Sequence, residues 1–314
     1  MPWKEGYTIS DEKSMSDEII KWPQKQRCVA TIVVDYSIQA DQDGININDI
    51  QRQVAEYGRK IEIWNLLDIF DKYEMRATFA TPAMIAENYK ESMREIVHRG
   101  HEVAAHGYKR EDVNLLEKAE EKRRLDLTSN IIEKISGQKP VGWFCMPRQK
   151  DPFAGGTLSP DTAELLIDGG YEYLGNGLAD DIPHYWVTNF KTRQNILTLP
   201  YYYHFDDQFF LMFPPLGMGC GLENSKALLQ NWKLEFDATY KRGRYFSIFI
   251  HPYLIQWGNR LEILENILAY IKDFNDVWNP TGREVTQYWK DTYPASSFLQ
   301  LKESIWKDYP GSLS

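Results

Sequence analysis

The sequence has no apolar run long enough to cross a bilayer, although 43% of its 314 residues are hydrophobic. A spanning helix needs about 20 consecutive apolar residues, and the longest apolar stretches here, such as Val29–Val34 and Tyr245–Ile250, have the length of strands. The first residues, Met1-Pro2-Trp3-Lys4-Glu5, lack the apolar core of a secretion signal. Cysteine is scarce. Cys28, Cys145 and Cys220 are odd in number and far apart, which excludes a disulfide framework and a cysteine-rich zinc knuckle. Positive charge is also in deficit: 36 Lys and Arg against 45 Asp and Glu leave a net charge of −9. A nucleic-acid or anionic-membrane partner is therefore not expected. Internal repeats and low-complexity segments are missing as well. These absences leave a cytoplasmic protein with a sizeable core and a small-molecule substrate.

Three short apolar runs each end on a residue able to do chemistry. Val29-Ala30-Thr31-Ile32-Val33-Val34 ends on Asp35. Glu102-Val103-Ala104-Ala105 ends on His106, followed by Gly107 and a charged loop. Tyr245-Phe246-Ser247-Ile248-Phe249-Ile250 ends on His251-Pro252. The C-terminal ends of parallel strands form the crevice where α/β proteins bind ligands, so Asp35, His106 and His251 are expected on one rim.

Between these runs lie helical patterns. Ile61, Trp64, Leu67, Ile69 and Phe70 recur at helical spacing. A helix over 91–98 stops at Gly100, and one over 117–135 stops at Gly137. Ser159-Pro160 reads as a cap followed by the first helical position. Further strands are expected near 77–80, 141–144, 171–174 and 195–200, and further helices over 225–240 and 260–274. Such alternation implies parallel strands with helical crossovers in a single α/β domain. Six to eight units suit a closed or partly closed barrel. We place the barrel at 26–289, an N-terminal arm at 1–25 and a polar tail at 290–314. The aromatics on these flanks, Trp3, Trp22, Phe298, Trp306 and Tyr309, predict a homo-oligomer, a dimer or tetramer.

In order, Val34-Asp35-Tyr36-Ser37, His106-Gly107-Tyr108-Lys109-Arg110, Trp143 to Arg148 and His251-Pro252 resemble the motifs of the polysaccharide deacetylase (NodB-like) superfamily. The resemblance runs from about Trp22 to Trp289 and implies a distorted (β/α) barrel. It also implies a divalent metal held by one carboxylate and two imidazoles. Here the carboxylate position falls on Ser37 and the second imidazole on Arg110, so only His106 remains. A catalytic zinc site needs three protein donors, and Arg110 carries a permanent positive charge. Neither a metal nor another cofactor is expected. The allantoinase and cyclic-imide hydrolase-like branch is similar in Trp22-Pro23, in its His-Gly-aromatic motif and in Asp180-Asp181-Ile182-Pro183.

The resemblance thus points to a metal-independent hydrolase of an amide, cyclic imide or ureide bond. Asp35, His106 and His251 would be catalytic, and Arg110, Tyr36, Tyr108, Arg148, His204 and Asp207 would bind substrate. Two alternatives stay open. One is a metal-dependent carbohydrate deacetylase with atypical ligands such as Asp41, Asp43 or Asp206. The other is a non-catalytic relative that binds a small anion.

Overall fold

A computed structural model describes residues 14–37, 56–109, 111–144, 158–177, 179–189, 191–202, 206–211, 224–255 and 257–299. Among these residues nine strands form one sheet: β1 (Cys28–Asp35), β2 (Thr78–Thr81), β3 (Glu102–Ala105), β4 (Gly142–Trp143), β5 (Tyr173–Gly177), β6 (His184–Asn189), β7 (Gln194–Pro200), β8 (Tyr245–Ile250) and β9 (Val277–Trp278). Their order is β6-β7-β5-β4-β3-β2-β1-β8, with β9 beside the start of β1. Every pairing is parallel except β6 with β7. The sheet curls until its ends meet through side chains. The Tyr202 hydroxyl donates to the Tyr245 carbonyl at 3.0 Å, and the Tyr201 ring packs edge-on to Phe249 at 4.9 Å. No strand pairing joins β7 to β8 among the described residues.

Both faces of β1 are buried, as a parallel strand with helices outside and side chains inside requires. Cys28, Ala30, Ile32, Val34 and Tyr36 enter the outer core, with Ile63, Leu66 and Phe70 of the helix Ile63–Lys72. Val29 and Val33 enter the inner core, with Ala80, Ala104, Phe144 and Phe249. The period of two therefore sends Asp35 inward and Tyr36 outward. The same alternation on β3 and β8 places Ala104 and Phe249 inside, and with them, two positions on, His106 and His251.

One end of this interior is closed by a polar knot. Glu102 is buried; it accepts from Tyr173 Oη at 3.1 Å, Thr78 Oγ1 at 3.1 Å and the Arg283 amide at 2.7 Å. All are donors, so the carboxylate is built in as an acceptor, against a burial that raises its pKa. Glu102→Gln is expected to destabilise the fold by about 2–4 kcal/mol, because its amide would turn N–H groups toward donors and strand them. Urea unfolding checks this, and an unchanged midpoint would contradict it.

The flanks correct the sequence-based boundaries. Trp22 is buried, its Nε1 donating to the Gly243 carbonyl at 2.8 Å and its ring packed on Trp278, Tyr288 and Trp289. It belongs to the chain's own core and supports no contact between subunits. The segment before it is lashed down by Arg244, which bonds Asp17 at 2.6 Å, the Met15 carbonyl at 2.8 Å and Asp181. At the other end, the helix Gly282–Thr292 opens with a Thr281/Glu284 capping box and buries Trp289. The polar tail thus starts later than expected. The expected cap Ser159 does accept from the amides of Asp161 and Thr162, but the helix begins only at Thr162. Strands β6 and β9 were not expected. No helix among the described residues is long and apolar enough to cross a membrane.

Candidate active site

The loop after β3 shows how the chain presents His106. Gly107 takes a positive φ of 74°, where a side chain would be strained. The buried Glu111 carboxylate then accepts from the amides of Tyr108 at 3.3 Å and Lys109 at 2.7 Å. The carbonyls of Gly107 and Tyr108 accept from Ala83 and Met84, both at 3.0 Å. His106 is thereby fixed at the strand end, its backbone N–H on the Thr81 carbonyl at 3.1 Å. Its Nδ1 lies 3.1 Å from the Phe144 carbonyl, which can only accept, so Nδ1 carries a proton. Nε2 is left facing Asp35 Oδ2 at 3.3 Å.

Asp35 Oδ2 is also 3.3 Å from Nε2 of His251. The registers explain this meeting: Val34 pairs with Ile250, which sets Asp35 level with His251, and Asp35 pairs with Ala80 and Ala80 with Ala104. One carboxylate oxygen is therefore shared by two imidazoles, and all three residues are at most 3% exposed.

His251 is held from behind. Asp207, first residue of the helix Asp207–Leu211, accepts from His251 Nδ1 at 2.6 Å through Oδ1 and from its backbone N–H at 2.9 Å through Oδ2. Asp206 Oδ1 lies 3.5 Å from the same Nδ1, and its Oδ2 accepts from Tyr201 Oη at 2.7 Å. Burial disfavours the imidazolium, but Tyr253, Asp206 and Asp207 together outweigh it and hold the His251 pKa well above the ordinary value. Burial first, then Asp206, raises the Tyr201 phenol, so it stays a neutral donor. His251 is thus an imidazolium with one proton on Asp207 and the other aimed at Asp35.

Asp206, Asp207 and His251 offer metal-ligating atoms within 4.8 Å of one another. Yet both Asp207 oxygens are engaged by His251, as is the Nδ1 that would have to ligate. The trio fits a supported imidazole better than a cation. The other set of positions, the one the sequence resemblance implies for a metal, holds Ser37, His106 and Arg110, a neutral hydroxyl, one imidazole and a cation, with Arg110 outside the described residues. That donor set does not fit a divalent metal.

Asp35, His106 and His251 are brought together as expected. Asp207 joins them as the partner of His251, with no carboxylate oxygen left for substrate. Tyr36 faces the opposite way: it is fully buried in the outer core, with its hydroxyl 2.8 Å from Ser92 Oγ. As a substrate ligand it is corrected, because adjacent residues of a strand point to opposite faces. Tyr108 lies half-buried on the loop beyond His106, and among the described residues no contact links it to Asp35. Arg110, Arg148, His204, Asp41, Asp43 and Cys145 lie outside the described residues. Sequence reasoning did not pick out Tyr201 or the Phe144 carbonyl. A hydroxyl holding a carboxylate from five residues away and a backbone acceptor leave no sequence signal.

The polysaccharide deacetylase family model matches residues 56–173. The peptidoglycan deacetylase of Helicobacter pylori is 26% identical over 262 residues, covering 76% of this chain and 86% of that one. Among solved structures, a protein of Mycobacterium smegmatis described as a polysaccharide deacetylase superposes with a TM-score of 0.78 at 22% identity, over 91% of this chain and 98% of that one. The Puue allantoinase superposes with a TM-score of 0.75 at 23% identity, over 90% and 96%. Residues 56–173 thus match the polysaccharide deacetylase family, the strands that flank this segment deliver Asp35 and His251, and the chain has the NodB-type α/β fold of these structures.

Proposed function

We propose that this protein hydrolyses a carbon–nitrogen bond in a small cyclic imide, ureide or amide, without a metal. The observation that carries the reading is the Asp207–His251–Asp35 chain of contacts, at 2.6 and 3.3 Å, with His251 protonated. Amide hydrolysis needs a base for water and an acid for the leaving nitrogen. Asp35 takes a proton from water as the water oxygen bonds to the carbonyl carbon. His251 Nε2 gives its proton to the nitrogen as the C–N bond breaks. The proton now on Asp35 then crosses to the adjacent His251 Nε2, which restores the starting state. Asp207 positions the imidazole and keeps it charged.

The metal-free part of the reading rests on Ser37 and Arg110 standing where the family resemblance implies a carboxylate and an imidazole. A cation can stabilise a developing oxyanion in place of a metal. Arg110, four residues past His106, would supply that charge.

The test is a turnover screen of hydantoin, succinimide and N-acetylglucosamine oligomers on chelator-treated protein. Turnover of a cyclic substrate is the expected result. Turnover of the oligomers alone, and only after adding zinc or another divalent metal, would overturn it in favour of a carbohydrate deacetylase.

A further inference from the structure

Arg260 is a buried cation, and its guanidinium donates to two backbone carbonyls: Nη1 to Leu254 at 2.5 Å and Nη2 to Leu211 at 3.0 Å. Burying a cation is costly unless it is well bonded. Both carbonyls lead back to His251. Leu211 ends the one-turn helix Asp207–Leu211, whose first residue is the carboxylate that holds the imidazole. Leu254 lies in the one-turn helix Pro252–Ile255, which begins directly after His251. The amides of Leu254 and Ile255 donate to the His251 carbonyl at 2.9 and 3.0 Å. Leu254 is therefore tied to His251 by its N–H and to Arg260 by its C=O. The last carbonyls of a helix have no partner within it, and a single turn is not stable alone. Arg260 stands on firmer ground. It is in the first turn of the helix Gly258–Lys272, which Ile263, Leu264, Ile267, Leu268 and Ile271 bury in the outer core. A long packed helix thus holds two short ones through one planar fork.

We infer that Arg260 is a positioning residue: it fixes the helix that carries Asp207 against the turn that follows His251, and so keeps the imidazole on its carboxylate and aimed at Asp35. The pair needs such a clamp. Asp207 and His251 are 44 positions apart, on separate elements, yet their contact is 2.6 Å. Arginine suits the task because its two terminal nitrogens sit at a fixed spacing, one for each carbonyl, whereas a lysine ammonium is a single point on a flexible stem. The effect of Arg260 on rate rests on the proposed hydrolysis; its effect on the geometry of the Asp207–His251 pair does not.

The experiment compares wild type with Arg260→Lys and Arg260→Met by proton NMR of histidine-labelled protein, by thermal melting and, on any cyclic substrate that turns over, by steady-state kinetics. In wild type the proton between His251 Nδ1 and Asp207 should give a strongly downfield resonance, assigned by its loss in Asp207→Asn. Arg260→Lys is expected to fold and to move that resonance upfield or broaden it away. It should lower kcat by about 10- to 100-fold, the scale of a misplacement of about 1 Å, with KM changed much less. Arg260→Met fills the space without burying a charge, so it carries the test if the lysine variant does not fold, and the same change in the resonance is expected. A folded variant of either kind whose resonance stays at the wild-type position would overturn the inference, even if it melts lower, because the arginine would then serve the helices and not the pair. Failure of both variants to fold would also overturn it, by making Arg260 a residue of the whole fold. A wild type without the resonance would contradict the Asp207–His251 bond itself. If wild type turns over no cyclic substrate, the proposed hydrolysis has failed, and the resonance alone decides for or against the clamp.

Discussion

Asp35→Asn is expected to lower kcat on a cyclic imide or ureide by about 100- to 10,000-fold, the usual worth of a positioned base, while the protein still folds. The substitution keeps shape and removes only the ability to take a proton. Asp35 is in contact with both Nε2 atoms, at 3.3 Å each. Its loss therefore removes both the base and the route by which His251 is reprotonated. A second consequence separates this from a structural effect. With no base, the variant should still bind substrate, so KM should change much less than kcat. Steady-state kinetics with a melting curve on the same preparation checks it. A kcat within a few-fold of wild type would show that another group activates the water.

The second large effect concerns Asp207. Asp207→Asn is expected to bring the alkaline limb of the rate profile down toward pH 6.5, the ordinary imidazole value, and to cut the rate at neutral pH by about 100-fold or more. Burial alone would depress the His251 pKa; it is raised because Tyr253, Asp206 and Asp207 surround it. Removing one of these charges, together with its 2.6 Å hydrogen bond, lets burial prevail and leaves the imidazole neutral. The sign for stability follows. A histidine whose pKa is raised by folding contributes stability that is fully present below about pH 6.5 and is lost as pH rises through the folded value. Wild type should therefore lose this contribution across the alkaline range, and Asp207→Asn should not. Melting temperatures from pH 6 to 10 provide the readout. A wild-type slope retained in the variant would place the charge of His251 under other control.

The central part of this site was legible because strands keep a strict period. Val29 to Val34 is apolar on both faces, so the polar residue that ends the run had to be either stranded or used, and the same held for His106 and His251. Tyr36 shows the limit of reading by proximity. It adjoins Asp35 in sequence, yet the pleat turns it to Ser92 on the far side of the sheet. Asp207 was read as a substrate-binding residue, but its bond to a residue 44 positions away depends on the curl of the sheet, which no local pattern encodes. The curl itself was only partly readable. Strand count suggested a barrel, whereas the two ends are bridged by Tyr201 and Tyr202. Strand β6 escaped because His184-Tyr185-Trp186-Val187-Thr188-Asn189 is a half-exposed edge that follows a loop-like Asp-Asp-Ile-Pro. The tail was placed from residue 290 because polar neighbours hid the helix Gly282–Thr292, whose buried face Trp289 anchors.

The metal content of a working preparation tests the central claim most directly. Protein purified without chelator, then stripped with EDTA and assayed on the same cyclic substrate, is predicted to keep its full turnover with far less than one metal ion per chain. Activity that disappears on stripping and returns in proportion to one bound zinc, nickel or manganese ion would contradict the account. It would mean that Ser37 and Arg110 have not displaced the metal, and that Asp35 and His251 act beside it.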